Sequence, residues 1–151
     1  MISKKTKYGL NALIALARAK RNEPFLIAEL AEQERIPKKF LELILLDLKN
    51  HGILQSKKGK GGGYSLNRPA SQITIGQIVR ILDGPLAPVS CVSESAYKPC
   101  DDCMEESCCG IRLVMKDVRD AMANILDNTS LEKILQRIGE IQEKKGANYY
   151  I

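Results

Sequence analysis

A glycine- and lysine-rich segment in the first half of the chain constrains the fold more than any other feature. Residues 57–64 read Lys-Lys-Gly-Lys-Gly-Gly-Gly-Tyr; they follow a helix-like run ending at His51 and Gly52 and a strand-like piece, residues 53–56. The glycines allow positive φ and a close approach to a sugar-phosphate backbone, and the three lysines supply the charge which that approach requires. An ordinary solvated hairpin has the same composition, so the flanking segments must decide between the two interpretations.

Charge is distributed unevenly along the 151 residues. Residues 1–70 contain 14 Lys or Arg and 6 Asp or Glu, a net charge of +8, whereas residues 71–151 contain 9 and 12, a net charge of −3. The basic half is also the half that contains the glycine-lysine segment. This asymmetry indicates a nucleic-acid-facing first half and a second half with a different task.

The apolar runs of the chain are short. The run at residues 10–17 is interrupted by Asn11 and closed by Arg18, which favours a first amphipathic helix over a signal peptide. No run approaches the roughly 20 apolar residues of a membrane span. We therefore expect a cytoplasmic protein that does not cross a membrane.

The first half of the chain predicts three helices ahead of the hairpin. Ser3 is placed to cap a helix that runs to about Arg21, residues 28–35 form a short second helix, and Pro37 opens a third helix to about His51. Two helices joined by a tight turn and followed by a basic hairpin make a winged helix-turn-helix domain, in which the third helix is the recognition helix.

Polar residues near the start of this third helix fall where the geometry of such domains places base edges and phosphates. The carboxylate of Glu42 can accept a hydrogen bond from a cytosine amino group; a solvated helix face, or a pair with Lys38 or Lys39, is the alternative. The predicted DNA contacts are Lys38, Lys39 and Glu42 in the helix and Lys57, Lys58, Lys60 and Tyr64 in the hairpin.

Two capping boxes mark helices in the second half of the chain. Residues 74–77 read Thr-Ile-Gly-Gln and open a short helix to about Leu82, and residues 129–132 read Thr-Ser-Leu-Glu and open a final helix to about Lys145. The last residues, 146–151, are expected to form a flexible tail.

A heptad seam runs along a long helix predicted from Cys108 to about Leu126. Its members follow one another at spacings of 4, 3, 4 and 3, and they are Ile111, Met115, Val118, Met122 and Ile125. A seam of this kind in a small protein indicates a dimer interface. Packing of the helix against the rest of its own chain is the alternative.

All five cysteines lie within nineteen residues, at the spacing C-x8-C-x2-C-x4-C-C. The odd number argues against a disulfide framework. Four thiolates suit an iron–sulfur cluster or a tetrahedral zinc ion, and a thiol redox switch is a third interpretation. Because the surrounding carboxylates disfavour a bare thiolate whereas a metal deprotonates its thiols outright, a bound metal is favoured over a redox switch. The spacing does not decide between iron and zinc, or between Cys108 and Cys109 as the fourth ligand.

The chain has no set of side chains that is typical of an enzyme. The only histidine, His51, lies at a helix C-terminus, where a group that can carry positive charge is favourable. Neither a Ser/His/Asp set nor the Gly-Lys-Ser/Thr of a phosphate-binding loop is present. We therefore expect no enzymatic activity. A winged-helix protein-interaction adaptor is the alternative of another class, and the basic hairpin argues against it.

Several motifs resemble those of a known family over nearly the whole chain. They are Tyr8-Gly9-Leu10 with Ala12-Leu13, Leu30-Ala31 with Ile36-Pro37, Phe40-Leu41-Glu42, residues 59–66 of the hairpin, Ile73-Thr74, Ile78, and Asp83-Gly84-Pro85. With these motifs the chain resembles the IscR/NsrR/CymR-type (Rrf-two type) bacterial winged helix-turn-helix regulators. The resemblance implies a mainly α fold with a small β-hairpin wing and a long dimerisation helix.

The resemblance also implies a function. A regulator of this kind is a homodimeric, sequence-specific transcription regulator, in which two recognition helices and two wings bind a palindromic operator in double-stranded DNA. Glu42 falls where the family places a sequence-reading glutamate. The implied divisions are a winged helix-turn-helix DNA-binding domain over residues 1–84 and a cysteine-rich ligand loop over residues 85–107. The dimerisation and C-terminal helices follow over residues 108–145, and the flexible tail over residues 146–151.

The same resemblance implies an iron–sulfur cluster in the cysteine loop. Family members that carry one hold the iron through three cysteines after the Gly-Pro segment, often with a fourth ligand such as His or an acidic residue. No histidine follows Cys109 in this chain, so an additional cysteine would complete the site. The implied ligands of a 2Fe–2S or 4Fe–4S cluster are Cys91, Cys100, Cys103 and Cys109, with Cys108 as the substitute for Cys109. Zinc, or no cofactor, is the alternative.

Overall fold

Six α-helices and one two-stranded hairpin make up the part of the chain that this computed structural model describes, residues 2–19 and 23–148. The helices are α1 Lys4–Arg18, α2 Ile27–Gln33, α3 Lys38–Asn50, α4 Ile75–Leu82, α5 Gly110–Asp127 and α6 Leu131–Asn148. Strands β1, Leu54–Lys57, and β2, Gly63–Leu66, pair antiparallel, with Leu54 opposite Leu66 and Lys57 opposite Gly63. The predicted fold class, mainly α with a small hairpin wing, is confirmed. None of the described helices is long and apolar enough to cross a membrane.

The first four helices share one apolar core. Helix α3 contributes the fully buried stripe Leu41, Ile44, Leu45 and Leu48, whose spacing is that of one helix face. The same cluster contains apolar residues of α1, α2 and α4, among them Leu13, Leu16, Leu30 and Ile78. Leu131, the first residue of α6, is also fully buried in it. The last helix is therefore anchored to the N-terminal domain.

Helix α1 begins where the sequence predicts and ends earlier. The Ser3 hydroxyl accepts a hydrogen bond from the Thr6 N–H at 3.1 Å, as expected for an N-cap. Ala19 takes an extended conformation, which ends the helix at Arg18. The predicted end, Arg21, lies outside the described residues. Helix α3 starts directly after Pro37, close to the prediction.

One predicted capping box is confirmed and the other is wrong. At the start of α4, the Gln77 N–H donates to the Thr74 hydroxyl and the Thr74 N–H donates to the Gln77 side-chain carbonyl, each at 3.3 Å. At α6 the cap is Ser130, whose hydroxyl accepts from the Lys133 N–H, while the Thr129 hydroxyl donates to a carbonyl of α5. The reason is tertiary, because Ser130 forms a β-bridge with Thr74 that fixes where the chain turns into α6.

Helix boundaries in the second half also differ from the prediction. Helix α5 begins at Gly110 rather than Cys108, because residues 106–108 form a 3₁₀ turn. Helix α6 continues to Asn148, so the first three residues of the expected flexible tail are helical. Residues 149–151 lie outside the described residues.

The predicted heptad seam of α5 divides between two faces of the helix. Met115 and Met122 are half-buried, whereas Ile111, Val118 and Ile125 are exposed. The aliphatic residues left exposed on α5 include Val114 as well as these three. The exposed stripe therefore runs 111, 114, 118, 121 and 125, again at heptad spacing but shifted toward a neighbouring face.

Candidate nucleic-acid interface and cysteine pocket

Helix α3 presents a solvent face because its opposite face is in the core. A tight turn precedes it, in which Arg35 has a φ of +55° and Ile36 is buried. Lys38 and Lys39 lie exposed in the first turn of the helix, and Glu42 is half-buried one turn later. These residues therefore lie together at the accessible start of the helix, as the sequence predicted for a recognition helix.

The hairpin forms a short wing whose loop carries the remaining basic residues. Lys57 ends β1, and Lys58 and Lys60 lie in the loop, all three of them exposed. Gly59 and Gly61 have φ values of +92° and +76°, a region that L side chains rarely adopt. The glycine pattern of the sequence therefore fixes the path of the loop.

The wing is tied to the helix-turn-helix through Tyr64. The Phe25 N–H donates to the Tyr64 carbonyl at 2.8 Å, and the Tyr64 N–H donates to the Phe25 carbonyl at 3.0 Å. A Cβ on Gly63 would overlap the Phe25 carbonyl, so this approach requires glycine. Burial raises the pKa of the Tyr64 phenol, and the negative charge of Glu42 raises it further. The predicted contacts Glu42 and Tyr64 are thus neighbours.

The lysines of this surface are available to an external partner. Among the described residues, no carboxylate lies within ion-pair distance of Lys38, Lys39, Lys57, Lys58 or Lys60. Exposed ammonium groups without an internal partner suit the phosphates of a nucleic acid.

A second candidate site is a pocket formed by the cysteine loop and the start of α5. The pocket has a volume of about 540 Å³, and four of its lining residues are Cys91, Cys100, Cys103 and Cys109. Cys108 is exposed and does not line it. The arrangement favours Cys109 over Cys108 as a ligand, and both the ligand set and its assignment remain predictions.

Three of the four thiols, those of Cys100, Cys103 and Cys109, are close enough to influence one another. The Cys103 N–H donates to the Cys100 carbonyl at 3.2 Å, which closes the Cys-x-x-Cys turn. Partial burial raises the pKa of the Cys103 thiol, and Cys109, Cys100 and Glu106 raise it further. A raised pKa favours the protonated thiol. A bound metal centre would favour the thiolate instead, because coordinated thiols lose their protons.

The donors fit an iron–sulfur cluster in kind and number, since four cysteine thiolates are the usual ligands of such clusters. Within residues 2–19 and 23–148, however, no three His, Cys, Asp or Glu side chains converge closely enough to hold one metal ion.

Two arginines of α5 reach back to the cysteine loop, and the sequence analysis missed their role. Arg112 Nε lies 2.9 Å from Glu106 Oε1 and forms an ion pair with it. The angle at this contact does not meet the geometry of a hydrogen bond. The Tyr97 hydroxyl donates to the other oxygen of Glu106 at 2.7 Å. Arg119, with a side chain only 13% exposed, donates to the Val92 carbonyl next to Cys91. The signal in the sequence is their spacing of seven, which puts both on the face of Met115 and Met122.

The other end of α5 is tied to the N-terminal domain. Arg80 of α4 binds the Asp127 carboxylate through two hydrogen bonds, at 2.5 and 3.0 Å. A Cβ on Gly76 would overlap that carboxylate, so the contact depends on a glycine in α4. Helix α5 therefore lies between the cysteine pocket and the domain that carries the wing.

Comparison with known proteins identifies the class to which this architecture belongs. The family model described as Rrf2, iron-dependent transcriptional regulator, matches residues 2–137. The chain belongs to the Rrf2 family. DNA is therefore its class of partner, and the family consists of transcription regulators rather than enzymes.

Individual Rrf2 relatives and solved structures agree with this assignment. An rrf2-like regulator of the helix-turn-helix type from Rhodobacter capsulatus is 45% identical over 138 residues, which are 89% of this chain and 92% of the relative. The structure of CymR, described as the global cysteine regulator of B. subtilis, has a TM-score of 0.75 and 32% identity and covers 91% of this chain and 97% of CymR. The structure of IscR from T. potens has a TM-score of 0.74 and 25% identity and covers 94% of this chain and 90% of IscR.

Proposed function

We propose that this Rrf2 regulator is a homodimer that binds a palindromic operator and senses through an iron–sulfur cluster held by Cys91, Cys100, Cys103 and Cys109. The observation that carries the proposal is that four of the five cysteines line one pocket. The family's description as iron-dependent agrees with iron as the metal.

The family description favours a cluster over a single zinc ion. Four cysteines suit either group, since a tetrahedral zinc and an iron–sulfur cluster can each take four thiolates. The Rrf2 family model is described as iron-dependent, which supports iron at this position. A bound cluster would supply a redox-active centre at this position.

The dimer would form through the exposed stripe of α5. Ile111, Val114, Val118 and Ile125 expose between 39% and 69% of their side-chain surface, which is a large apolar area for one helix. The heptad spacing of the stripe matches a helix that packs against a second copy of itself. Two chains joined in this way would present two recognition helices and two wings to the two halves of an operator.

The proposed coupling between the pocket and DNA uses links already described. Arg119 holds the backbone beside Cys91 to the middle of α5, and Asp127 holds the end of α5 to α4. A change of the loop would therefore be transmitted to α5 and from α5 to the domain of the recognition helix. Coupling of this kind requires two states that the occupant of the pocket distinguishes.

The proposal is tested by purification without oxygen. The visible spectrum is recorded, and iron, sulfide and zinc are measured on the same sample. We expect cluster bands with matching iron and sulfide in the unaltered chain and in the control Cys108→Ala, and their loss in Cys103→Ala. A colourless protein that contains zinc would make the pocket a structural zinc site. A metal-free protein would make thiol oxidation the leading input.

DNA binding is measured with the same preparations. Fluorescence anisotropy on a duplex enriched from a random library should give different affinities before and after removal of the cluster. Equal affinities would reject sensing while leaving DNA binding intact.

A further inference from the structure

Two leucines occupy the solvent face of the recognition helix, where a soluble domain would normally place polar residues. Leu43 is 61% exposed and Leu46 is 46% exposed. Neither belongs to the buried stripe Leu41, Ile44, Leu45 and Leu48, and neither packs against the core. The fold therefore does not require an apolar side chain at position 43 or 46.

The leucines lie at the centre of that face. At 3.6 residues per turn, the direction opposite to the buried stripe is occupied by residues 39, 43, 46 and 50 of α3. Residues 38, 42 and 49 lie to one side of it. Glu42, the predicted sequence-reading residue, therefore lies beside the centre of the face, where Leu43 and Leu46 form an apolar patch between the polar residues Lys39 and Asn50.

The rim of this apolar patch is basic. Lys38, Lys39 and Lys49 are exposed on the same helix, and the wing adds the lysines at 57, 58 and 60. An apolar centre flanked by unpaired ammonium groups complements a groove with polyanionic walls and an apolar group on its floor. The major groove of DNA has both, because thymine displays its C5-methyl group there.

We propose that Leu43 and Leu46 read thymine by packing against its C5-methyl group in the major groove. The inference rests on the proposed recognition helix and adds to it the base that the helix selects. Lysine contacts with phosphates would position the helix, Glu42 would accept a hydrogen bond from a base edge beside the patch, and the leucines would distinguish thymine from cytosine, which lacks the methyl group.

The test removes the methyl group alone. A duplex is first enriched from a random library with the unaltered protein, and each thymine is then replaced in turn by deoxyuridine, which leaves base pairing unchanged. We expect about fourfold weaker binding at the contacted positions, the factor that corresponds to about 0.8 kcal/mol for one buried methyl-sized group. Other positions should show no change.

Variants assign the effect to the leucines. At one of the sensitive thymine positions, Leu43→Ala should bind the thymine duplex and the deoxyuridine duplex with equal affinity. Leu46→Ala should lose the discrimination in the same way at a different thymine position. Leu43→Met should keep the discrimination, because it preserves an apolar contact of similar size. Ile141→Ala, which removes an equally accessible aliphatic side chain from α6, serves as the matched control and should keep it at every position.

The outcomes separate this inference from the proposed function. If no duplex is enriched, DNA recognition by the recognition helix fails. If a duplex is enriched but no thymine is sensitive to loss of its methyl group, or Leu43→Ala and Leu46→Ala keep the sensitivity, methyl reading is rejected and operator binding stands. The exposed leucines would then be a surface for a protein partner.

Discussion

At the scale of single residues, the proposed recognition surface combines side chains with different roles. Glu42 is half-buried, and its charge acts on the neighbouring Tyr64, whereas the lysines are exposed. A carboxylate acceptor suits base reading, and an exposed ammonium group suits phosphate binding.

Glu42→Ala should therefore relax sequence preference and leave much of the affinity. Loss of one specific base contact costs about 1–3 kcal/mol of discrimination, while the lysine–phosphate contacts remain. Anisotropy titrations on the enriched duplex and on random duplexes of equal length give the ratio of affinities. An unchanged ratio would show that Glu42 belongs to a solvated helix face.

Lys58→Ala should weaken binding to all duplexes alike. Each lysine–phosphate contact releases about one counterion, so the slope of log K against log salt should become shallower by about 0.9. Lys144→Ala, which removes an exposed lysine near the end of α6, is the control and should leave the slope unchanged. A Lys58→Ala slope equal to that of the unaltered protein would place the wing away from the DNA backbone.

At the scale of elements, the sequence predicted the helices well and their faces less well. The seam of α5 is an example, because Met115 and Val114 are neighbours on the helix surface and either continues a heptad from Ile111 and Val118. Only the tertiary structure, in which Met115 is half-buried on the helix face that carries Arg119, decides which stripe stays exposed. The cap of α6 depends in the same way on a bridge to α4 that is distant in sequence.

The link between α4 and α5 should make stability depend on pH. The hydrogen bonds from Arg80 lower the pKa of Asp127, so the stabilisation is complete above the unfolded pKa of about 3.9 and is lost as pH falls through the lower folded pKa. Asp127→Asn should cost about 0.5 kcal/mol at pH 7, because both groups are partly exposed. Urea unfolding at pH 7 and pH 3 gives the free energy of unfolding of the unaltered protein and of Asp127→Asn. The difference between these two free energies should be smaller at pH 3. A constant difference would assign the effect of the substitution to packing.

At the scale of the whole molecule, the wing and the exposed start of α3 could be predicted from local patterns, and the contacts that connect the pocket with α5 and α4 could not. The wing and the start of α3 are short segments whose residue types determine their local structure. Gly59, for example, allows the turn that leaves Lys58 exposed in the loop. The contacts of Arg119 with Val92 and of Arg80 with Asp127 join residues 27 and 47 positions apart. No period in the sequence connects such residues, because only the packing of α5 across the domain brings them together.

Substitutions on α5 can show whether the proposed dimer forms through the exposed stripe or through the predicted seam that includes Met115. Val114→Glu should raise the dissociation constant of the proposed dimer by a factor of about ten or more, because a carboxylate without a partner is costly to bury in an interface. The folded chain should remain stable, since Val114 is 57% exposed within it. Met115→Glu should instead unfold the contact between α5 and the loop, because Met115 is half-buried. Sedimentation velocity gives the oligomeric state, and thermal unfolding by circular dichroism gives the stability of each variant. A dimer that persists in Val114→Glu would move the interface away from the exposed stripe of α5.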